Sequence, residues 1–448
     1  MRFKPSLHIV LVQIIVTAMV FGPPMSVVMA DAPIVADGRT QTSIHVNGNI
    51  TDVRTETIRG NTGFNSFERF NVPAETTTNL HLPDATRNLV NLVHNERSFI
   101  DGTLNSLLSN GQIGGNTYFL NPHGILVGQS GTVNVGSLHL ITPTTQFMDE
   151  LISSGGVISD VHTQRLFEGN VPLSESGLIS VRGRVNAVDT ITIAANDASV
   201  DAGASVRAGR QVQVEFGSIV NTEGLQTGNE LVMGPDGRIS IVAANDVSVA
   251  GRIAVDGIQG EDAGSIEIRS GNDIHINAGA EISARGVGQG SNGATIKLEA
   301  TNSILLDNVF LSSRQVNDTG LTEEARRNAH LTGNSTGNSG NITLQAPTIE
   351  LTNSRLLSFA TGIHNAGNIL LDATNSITLT GSHLDAGARG TGDAGDVVVN
   401  VKDIDNFNII PIYVGQALAQ FSMTDNSEIV GGNITIDVKA FATPESRW

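Results

Sequence analysis

From Gly237 onward the chain keeps returning to one short phrase, and that return limits its folds more than any other feature. Units open at Gly237-Arg-Ile-Ser-Ile, Gly264-Ser-Ile-Glu-Ile, Gly293-Ala-Thr-Ile-Lys-Leu, Gly340-Asn-Ile-Thr-Leu, Gly367-Asn-Ile-Leu-Leu, Gly395-Asp-Val-Val-Val and Gly432-Asn-Ile-Thr-Ile. Their spacings are 27, 29, 47, 27, 28 and 37 residues, so the long ones read as the same unit with an insertion. A fixed period of this size marks a solenoid, in which each unit buries its apolar face only against its neighbours.

Inside a unit the aliphatic residues alternate, as in a strand. Ile266/Ile268, Ile274/Ile276 and Ile282 mark three short strands; Ile296/Leu298, Ile304/Leu306 and Leu311 repeat them in the next unit. The pattern recurs at Ile342/Leu344, Ile349/Leu351 and Leu356, and again at Ile369/Leu371, Ile377/Leu379 and Leu384. Strand starts fall 7 or 8 residues apart, with corners of Gly, Asn, Asp and Ser. This describes an all-β fold, a right-handed parallel β-helix with three strands per coil. Equivalent Ile and Leu stack at the strand spacing of about 4.8 Å, so the core is a set of aliphatic columns that needs no rings. Aromatics are only 4% of the chain and Gly accounts for 49 residues, in keeping with such a core. The same grammar reaches upstream in the copies Ala194-Ala-Asn-Asp197 and Ala243-Ala-Asn-Asp246, and Gly177-Leu-Ile-Ser-Val opens an earlier unit. One helical insertion is expected near 321–331, where Thr322 can cap Thr322–His330 on the solenoid surface. The last unit stops after one strand, so the repeat is expected to be cut short at the C-terminus or covered by a partner.

Residues 1–30 carry Arg2 and Lys4 without an acid, then 13 mostly apolar residues from Ile9 to Phe21, a Gly22-Pro23-Pro24 break and small residues up to Ala30. This is a secretory signal with cleavage expected between Ala30 and Asp31. The apolar run falls short of the roughly 20 residues a membrane span needs. No later segment is long or apolar enough, so no integral span is expected in the mature chain. There is no Cys, which excludes a disulfide scaffold, a Cys-based metal site and a thiol nucleophile. An extracytoplasmic chain without Cys suits a protein that stays uncrosslinked while it crosses a second membrane. The formal charge of -18 disfavours nucleic acid and anionic membranes as partners.

Before residue 145 the period is absent and the sequence becomes specific. Asn65-Ser-Phe-Glu-Arg-Phe-Asn-Val-Pro73 is followed by Asn91-Leu-Val-His-Asn-Glu-Arg-Ser-Phe-Ile-Asp-Gly-Thr-Leu104 and by Gly115-Asn-Thr-Tyr-Phe-Leu-Asn-Pro-His-Gly-Ile-Leu-Val-Gly128. Asn121-Pro-His-Gly124 reads as a type I turn: Pro122 sets φ, Asn121 can bond back to the chain, and the strand Ile125-Leu-Val follows. On these stretches the sequence resembles the N-terminal secretion domain of the filamentous haemagglutinin family, the exoproteins of two-partner secretion. The likeness is nearest to its high-molecular-weight adhesin and haem-carrier-binding branch. Asn121, Pro122, Gly124 and Ile125 match the family's secretion signature, with His123 in place of its usual Asn; Phe67, Phe70 and Asn71 belong to a second motif. A further Asn-Pro-Asn-Leu motif of the family is not found. The resemblance implies an N-terminal capping and secretion domain with short β-hairpin excursions over 31–176. It implies a β-helical stalk over 177–448, and a partner in the periplasmic domains of an outer-membrane β-barrel transporter. The turn can also be read as serving only to fold the first coil.

Other motifs carry little chemistry. Gly333-Asn-Ser-Thr-Gly337 matches a nucleophile elbow without its strand-to-helix turn. Gly288-Gln-Gly-Ser-Asn-Gly293 matches a dinucleotide fingerprint, but a strand follows where a helix is required. Gly390–Asp396 resembles a single calcium nonapeptide without tandem copies, and the 11 His form no metal-binding pair. No catalytic residue, cofactor or metal is therefore expected. The expected function is that of a secreted, non-enzymatic surface exoprotein exported through the periplasm, acting in adhesion or in binding a host-cell, matrix or carbohydrate ligand. The alternatives are a polysaccharide-acting β-helix hydrolase or lyase, and a truncated delivery stalk of a contact-dependent toxin.

Overall fold

The computed structural model describes residues 32–209, 237–257, 261–316 and 337–401, and beyond these the backbone of five short strands between Ile410 and Val438. The leader with Ala30 and Asp31, the helical insertion at 321–331 with Thr322, and most of Gly333–Gly337 lie outside the described residues.

The chain winds into coils whose strands stack in parallel, in register, on three faces. On the first face Ile239, Ile266, Ile296, Ile342, Ile369, Val397 and Ile434 are successive partners, as the repeat phrase requires. The second face aligns Val249, Ile276, Leu306, Leu351 and Leu379, and the third aligns Ile253, Ile282, Leu311, Leu356 and Leu384. From Ile239 to Val397 on the first face, and throughout the other two columns, these residues are buried in one continuous core. Each such burial contributes about 1.5–3 kcal/mol, and it accrues coil by coil.

The N-terminal segment, which shows no period in sequence, coils too. Gly63 pairs with Leu89 and Leu89 with Thr117, 26 and 28 residues apart, and the ladder continues through Leu138 and Ile191 to Ile239. The reason the repeat is hidden is burial on both sides. All six residues of Asn88–Val93 are buried, because the outer side of the first face is covered by two helices absent from the sequence reading. Helix α1 (Thr145–Leu151) and helix α2 (Asp160–Phe167) form an excursion between two coil strands, capped by Thr144 and Ser159, whose hydroxyls accept the Phe147 and His162 amides. Phe147, Met148 and Leu151 pack over Phe64, Val90, Leu92 and Leu120. Helices of 7 and 8 residues are too short for a periodicity signal and hold only through this packing. Beside them Tyr118 stacks on His139 at 4.2 Å, and burial pushes the His139 imidazole down to about 4.

The open end of the first coil is closed by antiparallel strands. Ile34–Ala36 runs against Phe67–Phe70, and the hairpin Thr42–Asn47/Ile50–Thr55 extends the third face by two strands. Such closure protects an edge that would otherwise offer unpaired backbone groups.

Polar columns accompany the aliphatic ones. The repeated Asn-Asp pairs form a corner ladder in which the Nδ2 of Asn245, Asn272 and Asn302 donates to Oδ1 of Asp197, Asp246 and Asp273, at 2.8–2.9 Å. On the third face Asn186, Asn134 and Asn105 each donate from Nδ2 to Oδ1 of the preceding coil's Asn at 3.0–3.1 Å, ending on Asn79. Farther along, Arg285 is wholly buried and binds Asp256 through Nη2 at 2.7 Å and through its own amide at 2.9 Å. Burial alone would raise the Asp256 carboxyl; Arg285 and Arg252 outweigh it and hold it down at about 2. Gly288–Gly293 lies at a coil corner leading to the strand Ile296–Ala300, with no helix after it, so the dinucleotide reading has no structural counterpart.

Candidate functional site

The Asn121–Ile125 turn links the first-face strand Asn116–Leu120 to the second-face strand Ile125–Val127. Asn121 is fully buried. Its Oδ1 accepts the His123 amide at 2.9 Å, and its carbonyl accepts the Gly124 amide at 3.2 Å, closing the turn. Its Nδ2 reaches back one coil, donating to the Glu96 carbonyl at 2.8 Å and the Ser98 hydroxyl at 2.9 Å. Pro122 is buried between these bonds, and Ile125 is 1% exposed on the interior. Gly124 holds φ +106°, and a Cβ there would lie 2.7 Å from the Leu178 carbonyl of the next coil. Only His123 is exposed, its Nε2 donating to the His94 carbonyl at 2.9 Å while Arg97 Nε donates to the His123 carbonyl at 3.2 Å. The turn is therefore bonded to the coil before it and packed against the coil after it.

Phe67 and Phe70 point into the same interior. Their rings meet edge to face at 5.0 Å, and Phe70 meets Phe119 in the same way at 5.0 Å. These rings fill the interior of the first coil, where the later coils carry aliphatic columns. Asn71, half-buried, accepts the Phe99 amide at 2.9 Å and so ties that coil to the next. Gly102, between the motifs, and Gly131, just after the second, pass so close to neighbouring backbone that an added Cβ would meet carbonyl oxygens at 2.1–2.2 Å. The two motifs are thus brought together by stacking, through Phe119 on one side and residues 96–99 on the other.

A cluster beside the turn escapes motif reading. Ser66 Oγ donates to Asp37 Oδ2 at 2.7 Å and lies 3.1 Å from His94 Nε2; Arg39 bridges Asp37 to Asp149 of α1. Burial, then the nearby Arg39 charge, hold His94 below its ordinary range against the pull of Asp37. Asp37, Ser66 and His94 lie 29 and 28 residues apart, one coil each, but no repeated phrase surrounds them, and Asp149 joins from α1, so the fold is what assembles them.

A capped β-solenoid whose N-terminal motifs serve as internal joints defines the class. The sequence model of the TPS (two-partner secretion) domain matches residues 32–298, more than half of the chain, and the chain belongs to that family. Among solved structures the fold is similar to the HMW1 secretion domain from Haemophilus influenzae, at a TM-score of 0.52 and 14% identity, covering 90% of this chain and 98% of that one. No curated protein sequence matches the chain. Membership makes this an exported two-partner substrate that passes through the periplasm, and it implies a partner in an outer-membrane transporter. Among the described residues no helix is long and apolar enough to cross a membrane.

Proposed function

We propose that residues 1–30 direct the chain to the periplasm and are removed after Ala30, and that the periplasmic domains of a dedicated outer-membrane β-barrel then engage residues 31–176. They read Asn121, Pro122, Gly124 and Ile125, with Phe67, Phe70 and Asn71, before these fold. Residues 177–448 follow as a stalk, and the exported solenoid serves adhesion or ligand binding at the cell surface or after release.

The observation that supports this reading is the burial of the motif residues. Asn121, Pro122, Gly124 and Ile125 are buried in the coil, so a transporter can grip them only while the segment is extended. Strand addition suits an extended segment, because its backbone groups are still free to pair. The same bonds that hide the turn after export supply a free-energy drop on folding outside, since each buried hydrogen bond and aliphatic contact forms only then.

The test is export of the full chain from a Gram-negative host carrying its transporter. Asn121→Ala is expected to bring secreted protein to background, while the same variant, purified and refolded, keeps the circular-dichroism signature of a β-solenoid. Secretion of that variant at the wild-type level would sink the assignment.

A further inference from the structure

On the outside of the third face, the cap hairpin, the strand Thr77–His81 and the turn at Leu108–Gly111 wall in a groove of about 780 Å³. On its floor stands Asp52. One oxygen of this carboxylate, Oδ1, accepts from His81 Nε2 at 2.7 Å and from Asn79 Nδ2 at 3.2 Å. Behind Asn79 runs the buried ladder of Asn105, Asn134 and Asn186, every amide donating toward the cap. The amide dipoles therefore align head to tail and finish on Asp52, and aligned bonds of this kind polarise one another. Burial alone would raise the Asp52 carboxyl; the His81 and Asn79 donors outweigh it, so the group stays ionised. It is held from below by a rigid chain of amides, yet its side chain keeps 30% exposure. Arg54 and Asp84 stand exposed on the rim, and Leu108 gives an apolar wall.

We infer that this groove binds a short neutral saccharide, the ligand class of the binding role proposed above, on which the inference rests. A fixed carboxylate with an exposed side takes hydroxyl donors, and a rim guanidinium offers donors to their oxygens. The carboxylates of Asp52, Glu56 and Asp84 around the groove disfavour an anion, while the Arg54 guanidinium among them offers a donor that a polyol can use and a simple cation cannot. The volume lies within the range of about 300–1,000 Å³ that small-ligand sites occupy.

The experiment uses the exported full chain on an array of short neutral hexose and N-acetylhexosamine oligomers, with anionic and cationic oligomers alongside. Binding to at least one neutral oligomer is expected, with loss of about tenfold in affinity, worth about 1.4 kcal/mol, in the Arg54→Ala/Asp84→Ala variant. Ser109→Trp should fill the groove mouth and abolish binding. All three positions are exposed, so export and circular dichroism should stay at wild-type values. Absence of binding to every neutral oligomer, binding to charged oligomers only, or undiminished binding in both variants would overturn the inference. In any of these cases, continued attachment of the wild-type protein to cells would leave the adhesive reading standing without the groove. Wild-type saccharide binding that falls in the variants supports the groove, whether or not cell attachment falls with it.

Discussion

The coil from Asn88 to Leu107 and the coil from Ser265 to Ser283 follow the same three-strand path with different side chains. The first two faces of the later coil are aliphatic inside and polar outside, with Ile266, Ile268, Ile274 and Ile276 buried and Glu267, Arg269 and His275 turned out; its third face buries Ile282 and, beside Arg285, the charge of Glu281. The earlier coil is buried on both sides of its first face, under the two helices, and lines its third face with amides at Asn105 and its neighbours. A rung of one shape can thus be held by apolar columns, which tolerate exchange among aliphatics, or by directed bonds that specify one partner. The second kind is costly to disturb, because a buried donor or acceptor left alone forfeits its full solvation. It is also where the secretion motifs sit.

Four measurements would break or sharpen this contrast. Phe70→Ala should lower stability by about 4 kcal/mol, since it leaves a cavity between Phe67 and Phe119; Ile268→Val in the later coil should lower it by about 1 kcal/mol. Urea unfolding of both variants compares them, and equal losses would refute the difference. Next comes the amide ladder. Asn134→Ala strands the acceptor of Asn105 and the donor of Asn186 and should cost about 2–3 kcal/mol. The half-exposed corner residue Asn272→Ala should cost about 1 kcal/mol.

The third measurement concerns pH. His139 titrates near 4 in the folded chain against 6.5 when unfolded, so the unfolded state takes up the proton first as pH falls. Its contribution to stability is complete above pH 6.5 and drains away as pH drops toward 4, on the order of 3 kcal/mol in all. His139→Gln should flatten that part of the pH–stability curve; an unchanged slope would assign it elsewhere. The smallest effect is expected at the surface pair Arg182–Asp201, 3.0 Å apart and largely solvated, where Arg182→Ala should change stability by less than about 0.5 kcal/mol.

How far the sequence could be read follows the same division. Strand positions from Ile239 to Leu384 are legible because one side faces solvent, and alternation then reports the pleat directly. The Asn-Asp copies at 196–197 and 245–246 are visible as repeats, although their ladder bonds are not. Upstream, Asn88-Leu-Val-Asn-Leu-Val93 gives no alternation because both sides are covered, so its coil shows only in the 26- and 28-residue pairing. Resemblance names the residues around the turn, but not their burial. Nor does a linear motif show that Asn121 reaches Glu96 and Ser98, or that Phe70 meets Phe119.

Local periodicity alone determined a three-strand solenoid, its aliphatic columns and its corners, because each unit meets only its neighbours and writes the same contacts again. Tertiary structure decided what no repeated phrase announces: the antiparallel cap, the helices α1 and α2 over the first face, the amide ladder running to Asp52, and the cluster of Asp37, Ser66 and His94. The ladder and cluster residues lie about one or two coil lengths apart, but no repeated phrase around them marks that spacing, and stacking in register is what brings them within bonding distance.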